Sequence, residues 1–227
     1  MYGTLINAGA VIVGGILGLI IRSGLPKNII KSVFQVIGLF TLVLGMTMAQ
    51  KTDNYLLIIF SIVGGTVLGE LLGLEVLMRK FSDFLKSKFK LGDEKFTEGF
   101  ISSFLLFCMG SMTILGALEE GLGSEPNLLL AKSVMDGFGA MALAASMGVG
   151  VLFSVIPLLL YQGGLTYSAA FAQDLLTESL QNEITAVGGI LLLGLGINIL
   201  EIKQLKILNM TPALFIALTL YFSGLFS

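Results

Sequence analysis

The sequence predicts an all-α fold, a polytopic membrane helical bundle of about eight spans in a single membrane domain over residues 1–227. Three observations carry this expectation. The chain is 55% hydrophobic and 12% charged with a mean hydropathy of +0.94, more apolar than the core of a water-soluble domain of this length requires. Its apolar residues gather into eight runs, near 4–21, 30–49, 55–74, 97–118, 127–146, 147–162, 184–200 and 211–226. Two are short and the rest approach the roughly 20 residues a spanning helix needs. Its lysines and arginines collect in alternate connectors, the pattern of a chain that crosses repeatedly with its basic loops inside.

The same composition excludes several function classes. With 13 Lys+Arg against 15 Asp+Glu, no basic surplus is left for nucleic acid. Cys108, the single cysteine, lies in an apolar run and is read as packing. The absence of histidine removes the common zinc sites and histidine-dependent catalysis, and no phosphate loop, dinucleotide fingerprint or serine triad is present. The chain is therefore not expected to be an enzyme, and no cofactor is expected.

The elements follow in order. Met1-Tyr2-Gly3-Thr4 carries no charged side chain, unlike the start of a signal peptide, so the first run is read as a retained span. Gly14 and Gly18 form a small-residue seam of the kind that lets membrane helices approach closely. Asn7 shares that stripe and either bonds across a helix contact or faces a polar path. The third run carries a longer seam, Ser61, Gly65, Gly69 and Gly73, with Glu70 beside it near the membrane edge. Residues 74–90 form an amphipathic helix, with Leu74, Leu77, Met78, Phe81, Phe84, Leu85 and Phe89 on one side and Arg79, Lys80, Lys86 and Lys90 on others. The fourth run is read as one helix over 97–118. Its Ser103, Ser111 and Thr113, with Gly110, suit small cations or polar solutes, or else bond back to their own helix carbonyls.

Ser124-Glu125-Pro126 starts the fifth span. It carries Lys132, Ser133 and Asp136, the last about 14 Å deep at 1.5 Å per residue. Ionisable groups at such depth are costly and mark a pathway or a partner. Lys132, four residues earlier, can pair with it. Residues 127–162 would make one helix about 54 Å long against a hydrocarbon core near 30 Å, so a break is expected at 146–150 and a bend at Pro157. Gln162 follows, then a second, acidic interfacial helix over 167–182, then the seventh span with Asn198. Thr211-Pro212 starts the eighth.

Orientation comes from the connectors. The first holds Arg22, Lys27 and Lys31, and the third Arg79, Lys80, Lys86, Lys88, Lys90 and Lys95, which places both inside and both termini outside. The stretch 38–47 weakly resembles 189–198, and 22–25 resembles 162–165, so repeat units 1–74 and 147–226 would flank 97–146 in opposite orientation, the inverted-repeat plan of many secondary transporters.

The opening ten residues, the run 110–118, Lys132-Ser133-Val134-Met135-Asp136-Gly137, Gly148-Val149-Gly150-Val151 and Gln162-Gly163-Gly164-Leu165-Thr166 together resemble the bacterial YqgA- and YdfK-type membrane proteins. The resemblance covers essentially the whole chain. It implies a multi-pass protein of the bacterial cytoplasmic (inner) membrane, in a family of unknown function sometimes described as a transport protein, and supplies no residue roles. The residues themselves lead to the expectation of a secondary transporter or channel for a small ion or polar solute. Substrate contacts are expected from Asp136, Ser133, Ser111, Thr113, Ser146, Gln162, Asn198 and Glu70, and whether a metal ion is held is left open. The expected partners are the lipid bilayer and the solute, and the glycine seams leave a homo-oligomer open. The alternative is a non-transporting scaffold or sensor, in which those seams make a dimer and helix 74–90 reads lipid charge.

Overall fold

The computed structural model describes residues 1–24, 26–88, 95–108, 111–121, 123–172 and 177–223, and among them all regular structure is helical. The helices are α1 (Tyr2–Gly24), α2 (Lys27–Ala49), α3 (Tyr55–Leu72), α4 (Leu74–Lys88), α5 (Phe96–Cys108) and α6 (Ser111–Gly121) in the first part of the chain. They continue as α7 (Asn127–Met147), α8 (Gly150–Phe153), α9 (Val155–Ala172), α10 (Glu178–Ile199), α11 (Ile207–Met210) and α12 (Ala213–Ser223). Their ends follow local chemistry. The Asn54 side chain accepts the Leu57 N–H at 3.1 Å to start α3, and the Thr177 hydroxyl accepts that of Leu180 at 3.2 Å to start α10. Gly73, at φ 63°, closes α3 in the left-handed conformation, and α4 departs at the next residue.

Among the described residues, five stretches are long and apolar enough to cross a membrane: Tyr2–Arg22, Tyr55–Leu72, Asn127–Met147, Gly150–Ala169 and Glu178–Ile199. Phe96–Cys108 and Met112–Gly121 together make a sixth, and Gln35–Ala49 and Ile207–Ser223 are shorter apolar helices. Each of the eight apolar runs falls on one of these. Large apolar side chains face outward along them, Leu71 being 80% exposed and Phe138 67%, as expected where lipid is the solvent. The chain is a polytopic helical membrane protein.

Three details differ from the sequence expectation. The run 97–118 is not one helix, because α5 and α6 are inclined by 72°. The break at 146–150 is present at Gly148, whose φ of 88° and ψ of −155° only glycine adopts readily, and the interruption near Pro157 falls before it, at Ser154, with α9 running on from Val155 to Ala172. Pro157 sits in the first turn of α9, where its missing N–H costs no helical hydrogen bond. Residues 167–172 continue α9 and 178–182 open α10, rather than forming a separate interfacial helix, and Asp174 and Leu175 of that expected helix lie outside the described residues. Helix α4 is the basic amphipathic helix expected, with Ser82 and Leu85 buried, and Phe89 and Lys90 fall outside the description.

The chain forms two compact units, Met1–Ile37 with Ser82–Leu175, and Gly38–Phe81 with Leu176–Ser227. Each draws on both the 1–74 and the 147–226 blocks. In the first unit α1 and α7 run parallel. Gly14 lies against the Gly137 carbonyl and Gly18 against that of Met141, so closely that a Cβ on either would collide with backbone. Helix α9 runs antiparallel to α1, Thr166 lying beside Thr4 and Gln162 beside Asn7. Phe96 packs edge-on to Phe153 with centroids 5.4 Å apart, where Gly150 meets the Phe96 carbonyl.

In the second unit α3 and α12 are antiparallel. Gly65 lies on Ala213 and Gly69 on the Asn209 carbonyl, above a core of Leu57, Ile58, Ala186, Val187, Ala213 and Ala217. The Gly38–Ala49 part of α2 runs antiparallel to α10. Gly45 packs against Gly189 while Gly196 packs against Gly38, so the two weakly similar segments face each other in reciprocal contact.

Candidate functional site

The site in the first unit grows out of the glycine contact between α1 and α7. Asn7 lies two helical turns before Gly14 on one face of α1, and Asp136 immediately precedes Gly137 on α7. Backbones that nearly touch at Gly14 and Gly137 therefore bring these two polar side chains into one seam. Lys132, one turn before Asp136, lies on the same face, and its ammonium forms an ion pair and hydrogen bond with Asp136 Oδ2. The antiparallel α9 adds Gln162.

The bonds are specific. Asn7 Nδ2 donates to Asp136 Oδ2 and to Gln162 Oε1, both at 3.0 Å. Gln162 Nε2 donates to Thr4 Oγ1 at 3.3 Å, and Thr4 Oγ1 donates to Glu120 Oε2 at 2.8 Å. Glu120 also accepts the Gly3 N–H at 2.5 Å and the Thr4 N–H at 3.3 Å, and pairs with the terminal ammonium of Met1 at 2.9 Å. A continuous polar chain thus leads from the partly exposed N-terminus through Glu120, Thr4, Gln162 and Asn7 to Asp136 and Lys132. Thr4, Asn7 and Gln162 are fully buried, and Lys132 and Asp136 are 5% and 8% exposed.

One atom in this chain is left over. Because its amide nitrogen serves two acceptors, Asn7 turns Oδ1 elsewhere, and that oxygen is buried without a hydrogen-bond partner among the described residues. Reversing the amide would set Oδ1 against the Asp136 carboxylate, which repels it. Buried polar atoms are almost always satisfied, so Asn7 Oδ1 is an acceptor that, among the described residues, is open to a donor or a cation.

Residues 2–222 match the family model described as "Protein of unknown function (DUF554)". The chain belongs to the DUF554 family. It is 36% identical over 225 residues to "Uncharacterized protein YqgA" of Escherichia coli (strain K12), covering 97% of this chain and 96% of that protein. It is 33% identical over 220 residues to "Uncharacterized membrane protein YdfK" of Bacillus subtilis (strain 168), covering 95% and 93%. No solved structure matches the chain.

Within this DUF554 chain the residues expected at the site separate. Asp136 and Gln162 meet through Asn7. Ser133 lies beside Asp136 on α7, but its hydroxyl donates to the Leu129 carbonyl at 2.6 Å. Ser146 donates to the Ala142 and Leu143 carbonyls, both at 3.0 Å, and Ser103 to the Gly99 carbonyl at 2.5 Å. Thr113 reaches across the α5–α6 break to the Phe107 carbonyl at 2.8 Å, supplying a donor that the interrupted helix does not. The Ser111 side chain and Gly110 lie outside the described residues.

Asn198 and Glu70 belong to the second unit. Asn198 exchanges two hydrogen bonds with the Leu205 backbone, at 2.8 and 2.7 Å, and fastens the 200–206 loop. Glu70 pairs with Lys206 at 2.9 Å where both are exposed, and its hydrogen bond holds the Lys206 ammonium above the usual lysine range. The sequence reading missed Glu120 and Glu183. Glu183, buried at the start of α10, accepts the Thr52 hydroxyl at 2.6 Å and the Asp53 N–H at 3.2 Å.

Proposed function

We propose that this protein is a secondary transporter or channel for a small ion or polar solute in the bacterial cytoplasmic membrane, with Asp136 on the transport path. The observation that carries the reading is the unpartnered Asn7 Oδ1 beside the buried Asp136–Lys132 pair. A cluster serving packing alone gains nothing from an unsatisfied acceptor. Relatives in two bacteria, one named a membrane protein, support the location. The inverted-repeat plan is supported by three antiparallel pairs. Helix α1 lies against α9, α2 against α10 and α3 against α12, so each of the first three spans meets its proposed counterpart among the last three. The scaffold reading is favoured by a different observation, that the hydroxyls of Ser103, Ser133 and Ser146 are spent on their own helices.

Thermal unfolding in detergent and flux in liposomes, measured on the same preparations, separate the two. Asp136→Asn strands a buried ammonium, so about 3–5 kcal/mol of stability should be lost. Adding Lys132→Met should restore it. As a path carboxylate, Asp136 is irreplaceable for transport, and the double variant should be stable yet inactive. A double variant that transports like the wild type would remove Asp136 from the mechanism. A wild type that moves nothing in a broad panel of ions and polar solutes would favour the scaffold.

A further inference from the structure

We infer that the Asp136 site binds a monovalent cation and that the Lys132 ammonium is the resident cation which the substrate displaces. The inference rests on the transport reading, whose substrate class it names. It follows from a count of charges and of ligands. The pair is neutral as it stands, one carboxylate against one ammonium, and both are at least nine-tenths buried. With Lys132 withdrawn, one negative charge remains, which one monovalent cation balances. A divalent ion would leave a buried positive charge, and an anion would face a carboxylate and an orphan acceptor.

The ligands fit the same guest. Asp136 Oδ2 and Gln162 Oε1 are oxygens, the hard donors that alkali cations take, and both lie against Asn7 Nδ2 at 3.0 Å; once a cation stands between them, a turn of the Asn7 amide brings its unpartnered Oδ1 to the same place, so that three helices each supply one oxygen. Lys132 is suited to yield. Its ammonium carries three donors and bonds only Asp136 among the described residues, and its flexible four-carbon stem lets it swing toward the exposed start of α7, five residues earlier, a cost that the incoming cation's own bonds to Asp136 offset. An ammonium that occupies the site most of the time lowers the apparent affinity for any competing cation by the fraction of time it leaves the site free.

The test uses the purified full chain in detergent, as wild type, Lys132→Met, Lys132→Gln and Asp136→Asn. Thermal midpoints are read against sodium or potassium chloride, with choline chloride holding ionic strength constant. The Lys132 variants should be destabilised in choline and rescued saturably by sodium or potassium. Their half-saturation should be at least about tenfold lower than in the wild type. Asp136→Asn should show no difference between the salts.

Rescue by acid alone would mean that Asp136 takes up a proton and not a metal cation, and overturns the inference. Equal behaviour in all three salts overturns it too. If neither Lys132 variant can be purified, a saturable alkali-cation shift in the wild type that Asp136→Asn lacks supports the inference, and its absence overturns it. Failure here is distinguishable from failure of the transport reading. Asp136-dependent flux without cation rescue sinks only the displacement, and cation rescue without flux leaves a binding site in a protein that does not transport.

Discussion

Glu120 takes three hydrogen bonds and an ion pair from the first four residues of the chain, and so satisfies first-turn N–H groups of α1 that have no helical acceptor. Glu120→Gln removes the charge and sets a second donor against donors. Only one oxygen remains, so either the Gly3 N–H, bonded to Oε1, or the Thr4 N–H and hydroxyl, bonded to Oε2, lose their acceptor in a buried place, which should cost about 1–3 kcal/mol and lower the melting midpoint in detergent. The neighbouring Glu119 accepts one bond, from the Leu128 N–H at 3.1 Å, and Glu119→Gln should cost visibly less. Equal midpoints for the two variants would refute the assignment. Asp136 and Lys132 were legible in the sequence because a charge deep in an apolar run has few innocent explanations. Glu120 was not, because an acidic residue in a connector is usually solvated. Its partners lie 116 and 117 residues away, and no local pattern announces them. Asn7 was legible only as one of two alternatives, and the structure gives it both a bond across the helix contact and an unfilled acceptor.

At the scale of elements, glycines of equal standing in the sequence have unequal roles. Gly9 has nothing within 4 Å of a Cβ placed on it, whereas Gly14, five residues later on the same helix, would drive a Cβ into the Gly137 carbonyl. Gly9→Ala should therefore be neutral or add up to about 1 kcal/mol from helix propensity. Gly14→Ala should cost about 1–3 kcal/mol or more, because only separation of α1 from α7 relieves the overlap. Gly148→Ala should lose a similar amount for a backbone reason, its φ of 88° being strained for any residue with a Cβ. The three midpoints, read in one detergent, check the set, and a Gly14→Ala protein as stable as the wild type would deny the close approach. The break at Gly148 was legible because a helix of 36 nearly uncharged residues exceeds any bilayer. The break between α5 and α6 was not. Residues 97–118 fit a single span by length, and glycine is too common in membrane helices to mark a break by itself.

At the scale of the molecule, helix direction limits the topology. Parallel α1 and α7 require an odd number of crossings between them, which is three if α2, α3 and the α5–α6 pair each cross once. Antiparallel α9 then adds the next crossing. The division into two compact units was not legible, because each takes its helices from both ends of the chain and only long-range contacts define it. Nine of the 13 lysines and arginines lie in the first and third connectors, and that asymmetry sets the expected direction, with both connectors inside. The weakest crossing is the bent α5–α6 pair, whose 72° break would also suit a re-entrant element returning to its own side. Ser87 and Ser124, both exposed, bracket that pair and decide the matter. With the buried Cys108 replaced by alanine, Ser124→Cys should react with a membrane-impermeant thiol reagent in intact cells. Ser87→Cys, beside Lys86 and Lys88 on the basic helix, should react only after the cells are opened. Labelling of Ser87→Cys alone from outside would reverse the orientation and leave the crossing intact. Labelling of both, or of neither, would mean that α5 and α6 enter and leave by the same face, which parallel α1 and α7 permit only if α2 or α3 also fails to cross.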